Sequence, residues 1–164
     1  MSTKYMPILG TLGYVLSPDG KETLLIHRNA RLDDEHYGKY NGLGGKLESD
    51  EDIVTGIKRE IREEAGIECE EVVFRGTINW PGFGANGEDW FGFVFRIDRF
   101  SGTPIKENPE GELSWVPVDK IDELPMWEGD RYFLPMVFDD SPPFHAVMRY
   151  DEGKPVSWSY TRAD

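Results

Sequence analysis

Cationic side chains are in short supply in this chain. Across 164 residues, 18 Lys and Arg stand against 31 Asp and Glu, for a net charge of -13. That deficit argues against binding long nucleic acid, whose affinity rests on Lys and Arg neutralising successive phosphates. It does not exclude a small polyphosphate whose charge is masked by metal ions and a few local cations. Cysteine is scarcer still: Cys69 stands alone, which excludes an intrachain disulfide and leaves a buried thiol as its plain reading. The three histidines, His27, His36 and His145, show no metal-ligand spacing and are assigned no role. No apolar run approaches the roughly 18 residues that span a bilayer. The run from Met6 to Leu16 is broken by Gly10, Thr11 and Gly13, and no small-residue cleavage site follows it. It reads as a strand, and the protein is expected in the cytoplasm, away from membranes. Internal repeats, low-complexity segments and long linkers are also missing.

Hydrophobic residues make up 38% of the chain and aromatics 13%, enough for a packed core in a chain of this length. A single domain over residues 1–164 is expected. Ile8 to Leu16 and Thr23 to His27 read as strands joined by SPDGKE, whose Pro, Asp and Gly are turn formers. Arg28 to Tyr40 is polar and reads as a loop. Val72 to Trp80 and Trp90 to Ile97 read as strands joined by the Gly-rich PGFGANGED. The second strand places Phe91, Phe93 and Phe95 on one face. Leu113 to Val118 is a further short strand. Asp119 to Leu124 and Asp130 to Phe138 are predicted short helices, and Phe144 to Tyr150 with Val156 to Tyr160 a terminal hairpin about DEGK. This order of strands and helices predicts an α/β sandwich with a mixed sheet between helices.

The most informative stretch is GKLESDEDIVTGIKREIREEAGI, Gly45 to Ile67. It reads as a helix preceded by a glycine turn at Gly44 and Gly45. Ser49 is the predicted N-cap, with Asp50, Glu51 and Asp52 in the first turn, where the helix dipole favours negative charge. Gly66 suits a left-handed C-cap. At about 100° per residue, Glu60, Glu63 and Glu64 border the apolar stripe of Ile53, Val54, Ile57, Ile61 and Ala65 rather than opposing it. Arg59 and Glu63 can pair at i, i+4, whereas Glu60 and Glu64 at the same spacing repel by roughly 0.2–0.5 kcal/mol. A purely solvating face would put its acids on the far side of the helix. Carboxylates placed this way, beside a glycine turn that lets a ligand approach, suit a hard divalent cation that also holds substrate phosphates.

These residues resemble the Nudix box, Gly-x5-Glu-x7-Arg-Glu-U-x-Glu-Glu-x-Gly-U, where U is a bulky aliphatic. Gly45, Glu51, Arg59, Glu60, Ile61, Glu63, Glu64, Gly66 and Ile67 fill every fixed position. The resemblance implies the Nudix α/β/α sandwich with a mixed central sheet. It also implies hydrolysis of a nucleoside diphosphate linked to another group. On that likeness Glu60, Glu63 and Glu64, helped by the Gly44 carbonyl, would ligate Mg²⁺, with Mn²⁺ as the substitute. Arg59 would orient Glu60, and Glu51 would support the loop-to-helix geometry.

A second likeness concerns the substrate. YNGLGGKLE (Tyr40 to Glu48) and PMWEGDRYFLPMVF (Pro125 to Phe138) are similar to the subgroup that destroys oxidised purine nucleoside triphosphates. Asn41 and Asp130 would then hydrogen-bond the purine and Trp127 would stack on it. Thr11, Arg28, Leu43, Gly44, Gly45 and Lys46 would line the substrate's path. Glu110 would be an additional metal ligand, with Glu112 the competing choice. Gly129 stands where the animal pattern has the first of two adjacent acids, and Tyr40 where Trp is usual. Read without the likeness, Trp127 is more often a core aromatic than a stacking platform, Asn41 is commonly a turn residue, and Asp130 could as well be a helix N-cap. The implied function is a Mg²⁺-dependent diphosphatase for nucleotides of the 8-oxo-dGTP type. It would release monophosphate and pyrophosphate, keep damaged bases out of DNA, and work as a monomer or homodimer. The alternatives are a Nudix hydrolase for ADP-ribose, dinucleoside polyphosphates or undamaged dNTPs, and a non-catalytic nucleotide-binding Nudix domain.

Overall fold

The computed structural model describes residues 3–162. In chain order these form β1 (Ile8–Leu16), β2 (Glu22–His27), β3 (Tyr40–Asn41), β4 (Leu43–Lys46), α1 (Ile53–Ala65), β5 (Glu68–Trp80), β6 (Trp90–Ser101), β7 (Glu107–Asn108), β8 (Gly111–Pro117), a 3-10 helix (Val118–Glu123), α2 (Asp130–Phe138), β9 (Phe144–Val147), β10 (Tyr150–Asp151), β11 (Lys154–Pro155) and β12 (Ser159–Arg162). Ten strands make one mixed sheet. Its main path runs β12-β9-β5-β6-β1-β2-β8-β7, with β3 hydrogen-bonded to β2 and β4 to β1. β1 runs parallel to β6 and β5 parallel to β9. No helix among the described residues is long and apolar enough to cross a membrane.

Neighbouring residues on a strand point to opposite faces, and here the two faces feed two cores. Tyr14, Leu25 and Val94 pack with Phe133 and Val137 of α2. Val15, Leu24, Ile26 and Phe95 pack with Ile57, Ile61 and Ala65 of α1. One helix thus covers each face, giving the α/β/α sandwich expected from the sequence. Ile57 and Ile61 are fully buried, each contributing about 1.5–3 kcal/mol from the apolar surface withdrawn from water.

Several local expectations are corrected. β5 starts at Glu68 rather than Val72, and β6 runs to Ser101, because bulges near Glu71 and Gly76 break the two-residue period by which strands are read. Gly44 and Gly45 are not a turn. They sit in β4 opposite Leu12 and Thr11 of β1, and a Cβ on Gly44 would run into the Thr11 carbonyl, so only glycine permits this approach. The short helix expected at Asp119 to Leu124 is present as a 3-10 helix one residue earlier, Val118–Glu123. The terminal hairpin splits in two. β9 pairs with β12 at the edge of the sheet, and β10 and β11 form a separate ladder about the turn.

The N-cap of α1 is Asp52, not Ser49. The Asp52 carboxylate accepts the backbone N–H groups of Val54 (2.9 Å) and Thr55 (2.8 Å), so Asp50 and Glu51 precede the helix. Gly66, at φ 72°, closes the other end and donates its N–H to the Arg62 carbonyl. α2 has no glycine stop. Two buried strand arginines satisfy its terminal carbonyls instead: Arg75 Nη2 donates to Met136 O (3.0 Å) and Arg96 Nη1 to Val137 O (3.1 Å).

Because the cap is at Asp52, Asp52→Ala is expected to lower stability to urea by about 1 kcal/mol. Ser49→Ala, at an exposed position, is expected to change it by less than about 0.5 kcal/mol. Equal losses would contradict this placement of the helix start.

Candidate active site

A cleft of about 700 Å³ is lined on one part by Thr11 of β1, by Gly44, Gly45 and Lys46 of β4, by Glu60 and Glu64 of α1, and by Arg28 and Glu110 from loops. The carboxylates come together because α1 lays its apolar stripe against the sheet and turns the border of that stripe toward β4. Gly45 leaves the room they need, since a Cβ there would stand 2.6 Å from Glu60 Oε1.

Arg59 organises the back of this cluster without lining the cleft. Its Nη2 and Nε donate to both oxygens of Glu51 (2.6 and 2.9 Å), and its Nη1 donates to Glu60 Oε1 (3.0 Å) and Glu63 Oε2 (3.3 Å). Glu51 Oε1 also accepts the Glu48 N–H (2.9 Å), which ties the loop before α1 to the middle of the helix. The Arg59 hydrogen bonds hold Glu51 down to a pKa of about 2. Glu64 has no such partner. Its Oε2 accepts only the Gly44 N–H (3.3 Å). Burial, with Glu60 and Glu110 nearby, pushes its pKa up to about 9. Burial also raises Glu60, against the pull of Arg59.

Glu60, Glu64, Gly44 and Glu110 are therefore brought together at the cleft. Glu63 is not: its side chain is 59% exposed and turned to Arg59, so it would have to leave Arg59 to join them. Glu112 lies outside the cleft and accepts from Asn29 (3.1 Å). Among the described residues, no three His, Cys, Asp or Glu side chains are gathered closely enough to hold a metal ion as they stand. The donor chemistry nonetheless fits a hard divalent cation. It is all oxygen, and it includes one half-buried carboxyl, Glu64, near two others with little internal positive charge to offset them. Glu60, Glu64 and Glu110 are the residues that would hold such an ion. Bound there, it would neutralise phosphate charge and acidify a water molecule.

The other part of the cleft is aromatic. Trp127 both packs on the α2-side core and lines the cleft, so the two readings of this residue are compatible. Asp130 is the first residue of α2, and Gly129 holds the N-cap position, so Asp130 is not the cap. Its side chain opens on the cleft, and its buried surroundings push its pKa up to about 7, only partly offset by Arg131. Asn41 of β3 lines the same cleft. Leu43, expected to meet substrate, is fully buried in the α1-side core, because it alternates with Gly44 along β4.

Sequence reasoning missed His36 and Phe83. Both line the cleft, and Phe83 meets the Trp127 ring edge-on at 5.1 Å. Each lies in a loop with no periodicity to reveal its direction, although the glycines around Phe83 were a signal of close approach.

The raised Glu64 pKa sets a pH dependence. Stability linked to this group is fully present below about pH 4.5 and is lost as pH rises toward about 9. Glu64→Gln is therefore expected to stabilise the metal-free protein on the order of 1–3 kcal/mol at about pH 8, and to change little near pH 4.5. Urea unfolding in chelator at both pH values checks this; equal effects at the two would contradict the half-buried, unpaired carboxyl.

A family model described as the NUDIX domain matches residues 6–137, a span that contains both parts of this cleft. A Bacillus subtilis protein described as the uncharacterized Nudix hydrolase YvcI is 31% identical over 140 residues, covering 83% of each chain. The oxidized purine nucleoside triphosphate hydrolase of Mus musculus is 33% identical over 127 residues, which is 77% of this chain and 80% of that one. Among solved structures, a MutT protein of Bacillus halodurans aligns with a TM-score of 0.81 at 27% identity, over 93% of this chain and 97% of its own. The filled acidic motif, the sandwich with its helix on either face, and these likenesses lead to one assignment: the chain belongs to the Nudix hydrolase family.

Proposed function

We propose that the chain is a Mg²⁺-dependent diphosphatase that hydrolyses oxidised purine nucleoside triphosphates of the 8-oxo-dGTP type to the monophosphate and pyrophosphate. Mn²⁺ would serve in place of Mg²⁺, and the enzyme would act in the cytoplasm as one domain. The observation that carries this reading is the pairing within one cleft of two kinds of surface. Carboxylates with Arg28 and Lys46 suit a cation-bearing phosphate chain, and Trp127, Asp130 and Asn41 suit a flat base with polar edges. The likeness to the mouse hydrolase, whose name specifies oxidised purines, supports the choice of base.

In this reading Arg28 and Lys46 hold phosphate oxygens, and Arg59 keeps Glu60 in place from behind. Water adds across one phosphoanhydride: its oxygen bonds to phosphorus, the bond from that phosphorus to the bridging oxygen breaks, and a cleft carboxylate takes the proton. With its pKa pushed up to about 9, Glu64 would have to give up a proton to help hold a cation, so its charge and cation binding would be linked. At the base, polar groups within an apolar pocket discriminate strongly, because the wrong base leaves them unpaired.

The test is a substrate panel with Mg²⁺, with and without chelator, comprising 8-oxo-dGTP, dGTP, ADP-ribose and a dinucleoside polyphosphate. The expected result is a kcat/KM for 8-oxo-dGTP at least about tenfold above that for dGTP, with all hydrolysis lost in chelator. Equal efficiency on dGTP would overturn the oxidised-base assignment.

A further inference from the structure

Residues 28–39, between β2 and β3, contain no helix or strand and run along the cleft as a strap. Side chains pin it at both parts of the site. Arg28 Nε donates to Asp34 Oδ2 (2.7 Å), while Arg28 Nη1 lies 3.8 Å from Glu110 Oε2. The other oxygen of Asp34 accepts the His36 backbone N–H (3.0 Å). His36 Nδ1 in turn accepts the indole N–H of Trp127 at 2.6 Å. One further contact reaches the same segment, Lys39 Nζ lying 4.4 Å from the Trp127 ring centre, and just past it Tyr40 of β3 donates its N–H to the Pro125 carbonyl (2.8 Å).

These contacts fix more than the loop. An accepting Nδ1 requires the tautomer with its proton on Nε2, which lies 3.6 Å from Glu35 Oε1. Burial, reinforced by Arg28, lowers the His36 pKa to about 4, so Nδ1 stays an acceptor throughout the neutral range. The Lys39 ammonium lies over one face of the indole, and the ring also borders the cleft. Without an acceptor at position 36, a half-buried N–H loses its partner and the ring loses its rotational stop.

We propose that His36 is a positioning residue for the base: by accepting the Trp127 indole N–H it sets the plane on which a nucleobase stacks, and through Asp34 and Arg28 it couples that plane to the phosphate part of the cleft. The proposal rests on the nucleotide-hydrolase reading and adds to it a residue that never touches the reacting phosphates.

The experiment compares wild type, His36→Leu and His36→Asn in steady-state hydrolysis of a purine nucleoside triphosphate and of the base-less deoxyribose 5-triphosphate. The Trp127 indole N–H is followed in parallel by ¹⁵N NMR. Asparagine retains an acceptor close to the Nδ1 position; leucine does not. His36→Leu is expected to shift the indole resonance and to raise KM for the purine substrate about tenfold, well beyond its effect on kcat or on the base-less substrate. His36→Asn is expected to recover most of that loss, a rescue that simple packing would not give. Should the leucine variant not fold, His36→Phe, which keeps a ring without an acceptor, is read in its place. An unmoved indole resonance, equal KM losses on both substrates, or no rescue by asparagine each overturns the proposal. A wild-type protein inert toward every nucleotide overturns the proposed function instead.

Discussion

Crowded negative charge is the constraint around which this protein is arranged. Glu60 and Glu64 lie one helical turn apart and face a common cleft with Glu110, and Glu64 is left with a single backbone N–H for company. Such an arrangement is unfavourable by itself, so the surrounding structure has to impose it. α1 does so by its caps and its buried isoleucines. Arg59 does so from behind, where its two bonds to Glu51 consume most of its charge and leave one nitrogen shared between Glu60 and Glu63. The guanidinium therefore orients Glu60 without neutralising the cleft. The unmet demand for positive charge is what makes a divalent cation and a phosphate chain its natural complement.

The second helix answers a different demand. α2 delivers Asp130 to the cleft at its first residue, and its far end is fastened by Arg75 and Arg96 from β5 and β6. The two helices cover opposite faces of one sheet, so the acidic and aromatic parts of the site are set by separate cores. β1, with Thr11 and Tyr14 both at the cleft, passes between them. The strap from Arg28 to Lys39 is a further physical link between the two parts, and it works through polar bonds.

Legibility from the sequence followed the range of the interactions. The acidic helix, its Gly66 stop and the chain's two-layer covering of a mixed sheet could be read because they depend on periodicity and on residues a few positions apart. The helix start was expected at Ser49 and lies at Asp52, because both positions offer a capping side chain and only the bonds that Asp52 accepts from Val54 and Thr55 tell them apart. Gly44 and Gly45 announced close approach correctly, but the partner was strand β1, far away in sequence. Helical geometry alone put Glu63 beside Glu60 and Glu64. The same spacing also allowed Glu63 to pair with Arg59 at i, i+4, and which of the two directions its side chain takes is a rotamer choice that the wheel leaves open. His36 gave no signal at all, since its meaning comes from a tryptophan about ninety residues later.

The direct test of this account is a count of protons. Calorimetric titration of Mg²⁺ into the protein at about pH 7, in two buffers of different ionisation enthalpy, measures how many are released per ion bound. A cleft whose Glu64 is neutral until a cation arrives should release about one, and the release should vanish in Glu64→Gln. Binding with no proton release in the wild type, or the same release with and without Glu64, would contradict the claim that this carboxyl waits for a cation to take its charge.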